Sequence, residues 1–298
     1  MTRLVVLLAA LLAAAAAVQG SQATFTASST NAGASFVTAS KFAPTVTVTA
    51  PANGSATNDT TPTLSGTADN STGDSTTVTV KIYSGSTVTG TALQTKTATR
   101  SGTSWSTTAS TLAVGTYTVQ ATQTDTSGNT GTSSANTFSV DTAKQTATSV
   151  TATNKTGGTA GKIENGDTVT FTYSEPIAAA SVWSGWNGSS TSVKVTFTDA
   201  FSADTFTVVT ATTGTINLGS VATNGNYVSA NTTFTSTMVR SADGASIVVT
   251  LGTPTSVQST AVTAKNMKWT VGAGITDLAG NSITTPASYT ETVSDVDF

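Results

Sequence analysis

The sequence predicts an all-β chain: two tandem β-sandwiches behind a cleaved signal peptide. Charged residues are only 9% of the 298 positions, far under the usual quarter or so, and Thr, Ser and Asn stand in their place. Thr is β-branched and strand-favouring, and its hydroxyl can face water in place of a charge. Apolar and polar residues alternate with period two, as where Tyr117, Val119 and Ala121 interleave with Thr116, Thr118, Gln120 and Thr122, which gives a strand one dry and one wet face. A turn phrase, D-x-x-G-N, occurs at residues 125–129 and again at 277–281, so the chain closes two domains in a similar way.

The same composition excludes several functions. A net charge of −3 offers no basic stripe to neutralise phosphates, so nucleic acid is not an expected partner. Histidine and cysteine are absent, which removes disulfides, thiolate nucleophiles, imidazole bases and thiolate or imidazole zinc ligands. No catalytic residue and no tightly held cofactor are expected. An exported chain without disulfides depends on core size and strand pairing.

Residues 1–23 read as a signal peptide. Arg3 precedes an apolar run over residues 4–18, short for a span of about 20 residues but suited to a signal-peptide core. Ser21 and Ala23 supply small residues for cleavage after Ala23. No transmembrane span is expected in the mature chain, which is placed at the cell surface or in the medium.

Residues 24–43 form an extended arm or linker. Within residues 1–40, the A-x-F-T pattern, Asn31, Ser35-Phe36 and Thr38-Ala39 resemble the N-terminal region of bacterial proteins processed by a SipW-type peptidase, including camelysin-type and biofilm-fibre proteins. Without histidine an H-E-x-x-H zinc site cannot exist, so no protease activity comes with the resemblance. Either this stretch is a flexible linker, or it is an arm that adds a strand to a neighbouring molecule and makes the chain a fibre or pilus-like matrix subunit.

The first domain is expected at 44–142. Val46 and Val48 begin an alternating strand; Val78, Val80 and Ile82 share one face of another; Trp105, alone in a polar strand, is the ring to fill the centre. Leu112, Gly115 and Tyr117 have the L-x-x-G-x-Y spacing of a tyrosine corner, whose buried ring returns its hydroxyl to upstream backbone, as in an immunoglobulin (Ig)-like sandwich. Phe138 and Val140 end the last strand. The phrases P-T-V-T-V-T-A-P from Pro44, T-P-T-L-S-G-T-A from Thr61, V-G-T-Y-T-V-x-A from Val114, D-x-S-G-N from Asp125 and F-S-V-D-T from Phe138 together resemble the bacterial Ig-like repeat of surface and adhesin proteins. That resemblance implies a spacer or binder module without catalysis, whose partners are other surface proteins, host or matrix glycans, or copies of itself.

The second domain is expected at 146–298. Val169, Phe171 and Tyr173 alternate into S-E-P-I, where Pro176 stops ladder pairing. Further alternations centre on Val195, Phe206, Val249 and Trp269. The S-E-P phrase with the late D-L-A-G-N resembles a second Ig-like module of bacterial surface proteins, though the length exceeds the roughly 100 residues of such a sandwich. Either residues 198–238 are an insertion or the sheets are extended.

Three groups of residues invite a site. Asp125-Thr126-Ser127-Gly128 fails as an aspartic-protease loop, because the glycine is one place late and Thr124 is not apolar; a turn explains it. Asp69, Asn70 and Asp74 share a loop, and Asp125, Asn129 and Asp141 are expected at one sandwich end, all hard oxygen ligands for calcium and all common turn residues. Trp183 and Trp186 in a Gly-rich loop either stack on a sugar, in a carbohydrate-binding or hydrolytic protein, or pack into the second core.

Overall fold

The computed structural model describes residues 42–212, 214–256, 262–283, 287–292, 296 and 298. The signal peptide expected at 1–23, the SipW-type resemblance over 1–40 and nearly all of the arm expected at 24–43 lie outside the described residues. Among those described, the chain is all-β apart from one short helix, and residues 43–298 form one unit.

The first sandwich contains β1 (Ser55–Thr57), β2 (Thr63–Thr67), β3 (Asp74–Ser84), β4 (Gln94–Thr99), β5 (Ser104–Thr108), β6 (Gly115–Asp125), β7 (Thr130–Thr132) and β8 (Asn136–Val140). One sheet runs β1-β8-β6-β3-β4, with β7 also on β6; the facing sheet pairs β2 with β5. Bridges from Val46 to Ala68 and from Ala50 to Ser65 add the first strand-like segment beside β2. β1 runs parallel to β8, and the other pairs are antiparallel.

The alternating residues do what their period demands. Val78, Val80, Ile82, Val119 and Ala121 are fully buried. Each large aliphatic chain so buried contributes roughly 1.5–3 kcal/mol by leaving water. Trp105 is buried in this core, and its indole N–H donates to the carbonyls of Thr47 at 3.1 Å and Thr67 at 3.0 Å. The tyrosine corner is present: the Tyr117 hydroxyl donates to the Ala113 carbonyl at 2.9 Å, and its ring lies 5.9 Å from that of Phe138.

Two polar side chains of β6 are buried, Thr118 on the expected wet face and Gln123 in line with Tyr117, Val119 and Ala121 on the dry one. Thr118 and Gln123 are both 1% exposed. Burial is tolerated because each is bonded: Thr118 donates to the Gly85 carbonyl, and Gln123 donates to the carbonyls of Asp69 and Ser75 while accepting from the Asp69 amide.

Beyond residues 141–146 the chain builds β9 (Ala147–Thr153), β10 (Thr168–Tyr173), α1 (Ala179–Val182), β11 (Thr191–Thr198), β12 (Thr205–Thr210), β13 (Thr215–Ala222), β14 (Thr232–Arg240), β15 (Ser246–Pro254), β16 (Lys268–Thr270) and β17 (Ser288–Thr290). The strands form one nine-stranded sheet, β17-β16-β13-β12-β11-β14-β15-β10-β9. Its edge strands β17 and β9 lie alongside each other, so the sheet curls around a single core. Residues 198–238 are therefore no separate insertion: they supply β12, β13 and much of β14 from the middle of the sheet, and the extended-sheet alternative is the one observed.

Trp269 is the centre of this core. It is fully buried, with Phe171 and Tyr173 packed edge-on at 5.0 and 5.2 Å and its N–H donating to the Leu218 carbonyl at 2.7 Å. The acidic C-terminal stretch ends in a ring the pattern did not assign: Phe298 is fully buried against Tyr227 and Phe197. Among the described residues, no helix is long and apolar enough to cross a membrane.

Candidate functional site

The two D-x-x-G-N phrases form the same clamp. In the first, Asp125 Oδ1 accepts the Ser127 and Asn129 amides at 2.8 and 2.9 Å, and Oδ2 accepts Asn129 Nδ2 at 2.9 Å. In the second, Asp277 Oδ1 accepts the Asn281 amide at 2.9 Å and Oδ2 accepts Asn281 Nδ2 at 2.8 Å. Gly128 and Gly280 turn the chain with φ of 87° and 92°, where a side chain would be strained. Asn129 and Asn281 thus serve through their amides rather than through a left-handed backbone.

The second clamp does more than turn the chain. Asn281 Nδ2 also donates to the main-chain oxygen of Asp141 at 2.9 Å, and the Asn58 amide donates to Ala279 O at 3.0 Å. These bonds tie the last strand of the first sandwich and the end of β1 to a loop of the nine-stranded sheet. β10 ends at Tyr173, ahead of Pro176, and an isolated bridge between Ile177 and Asp277 carries the preceding Glu175 to the same place. Asp141, Glu175 and Asp277 bring one carboxylate oxygen each within 4.8 Å of one another, Asp277 buried and the other two half-buried.

Partial burial, then repulsion from Asp141 and Asp277, raises the Glu175 pKa above its ordinary 4.5. Asp141 and Asp277 already accept loop amides, from Ala143 and Asn281 respectively. The trio could hold a hard cation, contributing three of the roughly six to eight oxygens that calcium takes.

Two results are expected at this joint. Asn281→Ala removes an amide that serves two partners inside a buried clamp, and is expected to cost about 1–3 kcal/mol in denaturant unfolding. For Glu175 the raised pKa fixes the sign: its contribution is complete below pH 4.5 and is lost as pH rises through the raised value, because the unfolded carboxyl ionises first. Asp167, raised mainly by burial, acts in the same direction. The thermal midpoint of Glu175→Gln should therefore fall less, or rise more, than that of the wild type as pH rises from 4 towards 7; identical slopes would disprove the raised pKa.

The structure regroups the calcium candidates. Asp69, Asp74, Asp125 and Asn129 gather at one end of the first sandwich, where Asp74 lies opposite Asp125 in the β3–β6 register. Asp141 does not join them. β8 is antiparallel to β6 and pairs Val140 with Gly115, so Asp141 sits at the far end of a strand roughly 33 Å long. Its company is Glu175 and Asp277, which sequence reading treated as a ladder stop and a turn; the repeated D-x-x-G-N phrase was the available signal for the second.

The tryptophan pair packs. Trp186 is 6% exposed with its N–H donated to Ser189 O at 2.7 Å, and Trp183 is half-buried against the second core. The indole of Trp186 thus faces protein, whereas Trp183 keeps part of its ring open to solvent.

Residues 38–142 match the family model for the bacterial Ig-like domain. The chain carries one such domain. The Ig-like domain so matched takes in the whole first sandwich, including its tyrosine corner and first D-x-x-G-N clamp. A comparison with curated proteins gave no match. Among solved structures, the fibronectin(III)-like modules of Clostridium thermocellum CbhA align over 72% of this chain and 92% of theirs, at 16% identity and a TM-score of 0.28. A putative membrane anchored protein from Corynebacterium diphtheriae aligns over 87% of this chain and 60% of its own, at 13% identity and a TM-score of 0.28. At these TM-scores neither bears on the fold or function of the chain.

Proposed function

We propose that the protein is an exported, non-catalytic module of the bacterial surface or extracellular matrix, in which the Ig-like domain and the nine-stranded sheet act together as a stiff spacer or adhesion unit. The observation that carries this reading is the joint. Direct hydrogen bonds from Asn281 to Asp141 and from Asn58 to Ala279 link the two cores, as suits an element that transmits position. The match of residues 38–142 to a bacterial Ig-like domain and the apolar leader pattern at residues 1–23 support the location. The chain's lack of histidine and cysteine supports a role without catalysis. Its partners on this reading are other surface proteins, glycans or copies of itself.

Labelling intact host cells with a membrane-impermeant amine reagent tests the location. The chain should be labelled on whole cells; labelling only after lysis would reject the reading. Deleting residues 24–40 separates spacer from fibre: a spacer keeps its stability and assembly state, whereas loss of polymers would make the fibre reading correct.

A further inference from the structure

At the tip of the hairpin joining β11 to β12, Phe201 is 97% exposed and has φ of 47°. The second opposes folding and the first does nothing for it. A bulky residue in the left-handed region is strained, and an exposed phenyl ring gains nothing from burial. The loop is nonetheless firmly built. Asp204, fully buried at its base, accepts the Ala200 amide at 3.2 Å and the amides of Tyr227 and Val228 at 2.6 and 2.8 Å. Asp199 accepts the Phe201 amide at 3.3 Å, and its own amide donates to Asn231 Oδ1 at 2.9 Å. A strained, solvent-facing ring on a pinned loop points to recognition rather than stability.

Size and charge select the ligand class. One phenylalanine offers about 150–250 Å², against roughly 800 Å² per partner in a stable protein interface. The loops at residues 199–204 and 223–231 contain no Lys or Arg, so neither phosphates nor an anionic membrane surface is served. A neutral ring with a C–H face and peripheral hydroxyls suits a phenyl face on a loop that also carries the Asp199 carboxylate and is hydrogen-bonded by the Asn231 carboxamide.

We propose that the Phe201 tip binds the pyranose rings of a polysaccharide, Phe201 stacking on the sugar while Asp199 and Asn231 bond its hydroxyls. This goes beyond the spacer reading and does not depend on it. The test is native gel electrophoresis of the full chain in gels containing laminarin, xylan, glucomannan, hydroxyethyl cellulose or glycol chitin. Migration should slow in at least one gel; Phe201→Ala should restore the mobility seen without polysaccharide, and Trp183→Ala should leave the slowing unchanged. Phe201→Gly should also abolish slowing while keeping or raising the thermal midpoint, since glycine relieves the strain. No slowing in any of these gels, slowing retained by Phe201→Ala, slowing lost in Trp183→Ala, or a lowered midpoint for Phe201→Gly would each overturn the proposal.

Discussion

Trp269→Ala is expected to cost about 3–5 kcal/mol, a large part of the roughly 5–15 kcal/mol that holds a typical domain folded. Three losses combine. The indole leaves a cavity between Phe171 and Tyr173, whose rings pack on it edge-on. The buried Leu218 carbonyl loses its donor. β16, only three residues long between β13 and β17, loses its one fully buried side chain. Chemical denaturation should show a lower midpoint with the slope nearly preserved if the core still folds cooperatively. Trp269→Phe should recover part of the packing but not the hydrogen bond. A loss under about 1 kcal/mol for Trp269→Ala would mean that this ring does not organise the second core.

Gly66→Ala is the second large effect, in the other core. A Cβ at Gly66 would overlap the main-chain oxygen of Thr47 and press on the Trp105 ring. The first obstruction is backbone and cannot rotate away. β2 must therefore part from the neighbouring segment, breaking the Thr47–Thr67 and Thr49–Ser65 main-chain bonds around it. The expected loss is about 3 kcal/mol or more, at the upper end for overpacking. A second substitution sharpens the point: Trp105→Ala removes the ring but not the carbonyl, so the double variant should be no more stable than Gly66→Ala alone. Rescue by Trp105→Ala would show that the ring, and not the backbone, sets the glycine requirement.

Local phrases were legible where one short stretch contains both partners of an interaction. The L-x-x-G-x-Y spacing announced the bond from Tyr117 to Ala113 four residues upstream, and each D-x-x-G-N phrase holds its own clamp. Trp105 could be placed centrally because no other large ring interrupts its polar strand. What depended on distant partners was hidden. Asn281 reaches Asp141 across 140 residues, and no periodicity encodes that meeting. Likewise, residues 198–238 displayed strand patterns, but whether they extend a sheet or hang from it is decided by pairing with β11 and β15. Thr118 misled because a polar side chain on the outer face reads as wet whether or not a neighbouring loop covers it. The sequence around Trp183 and Trp186 fits a packed loop and a binding loop equally; only the ring positions separate them.

The proposed reading is of an exported chain whose two cores act as one surface unit. The most direct measurement is fractionation of the native host into cytoplasm, membrane, wall and medium, with N-terminal sequencing of the chain wherever it is recovered. The account predicts recovery from the wall or medium with Thr24 as the first residue. Recovery from the cytoplasm with an N-terminus at Met1 would contradict it.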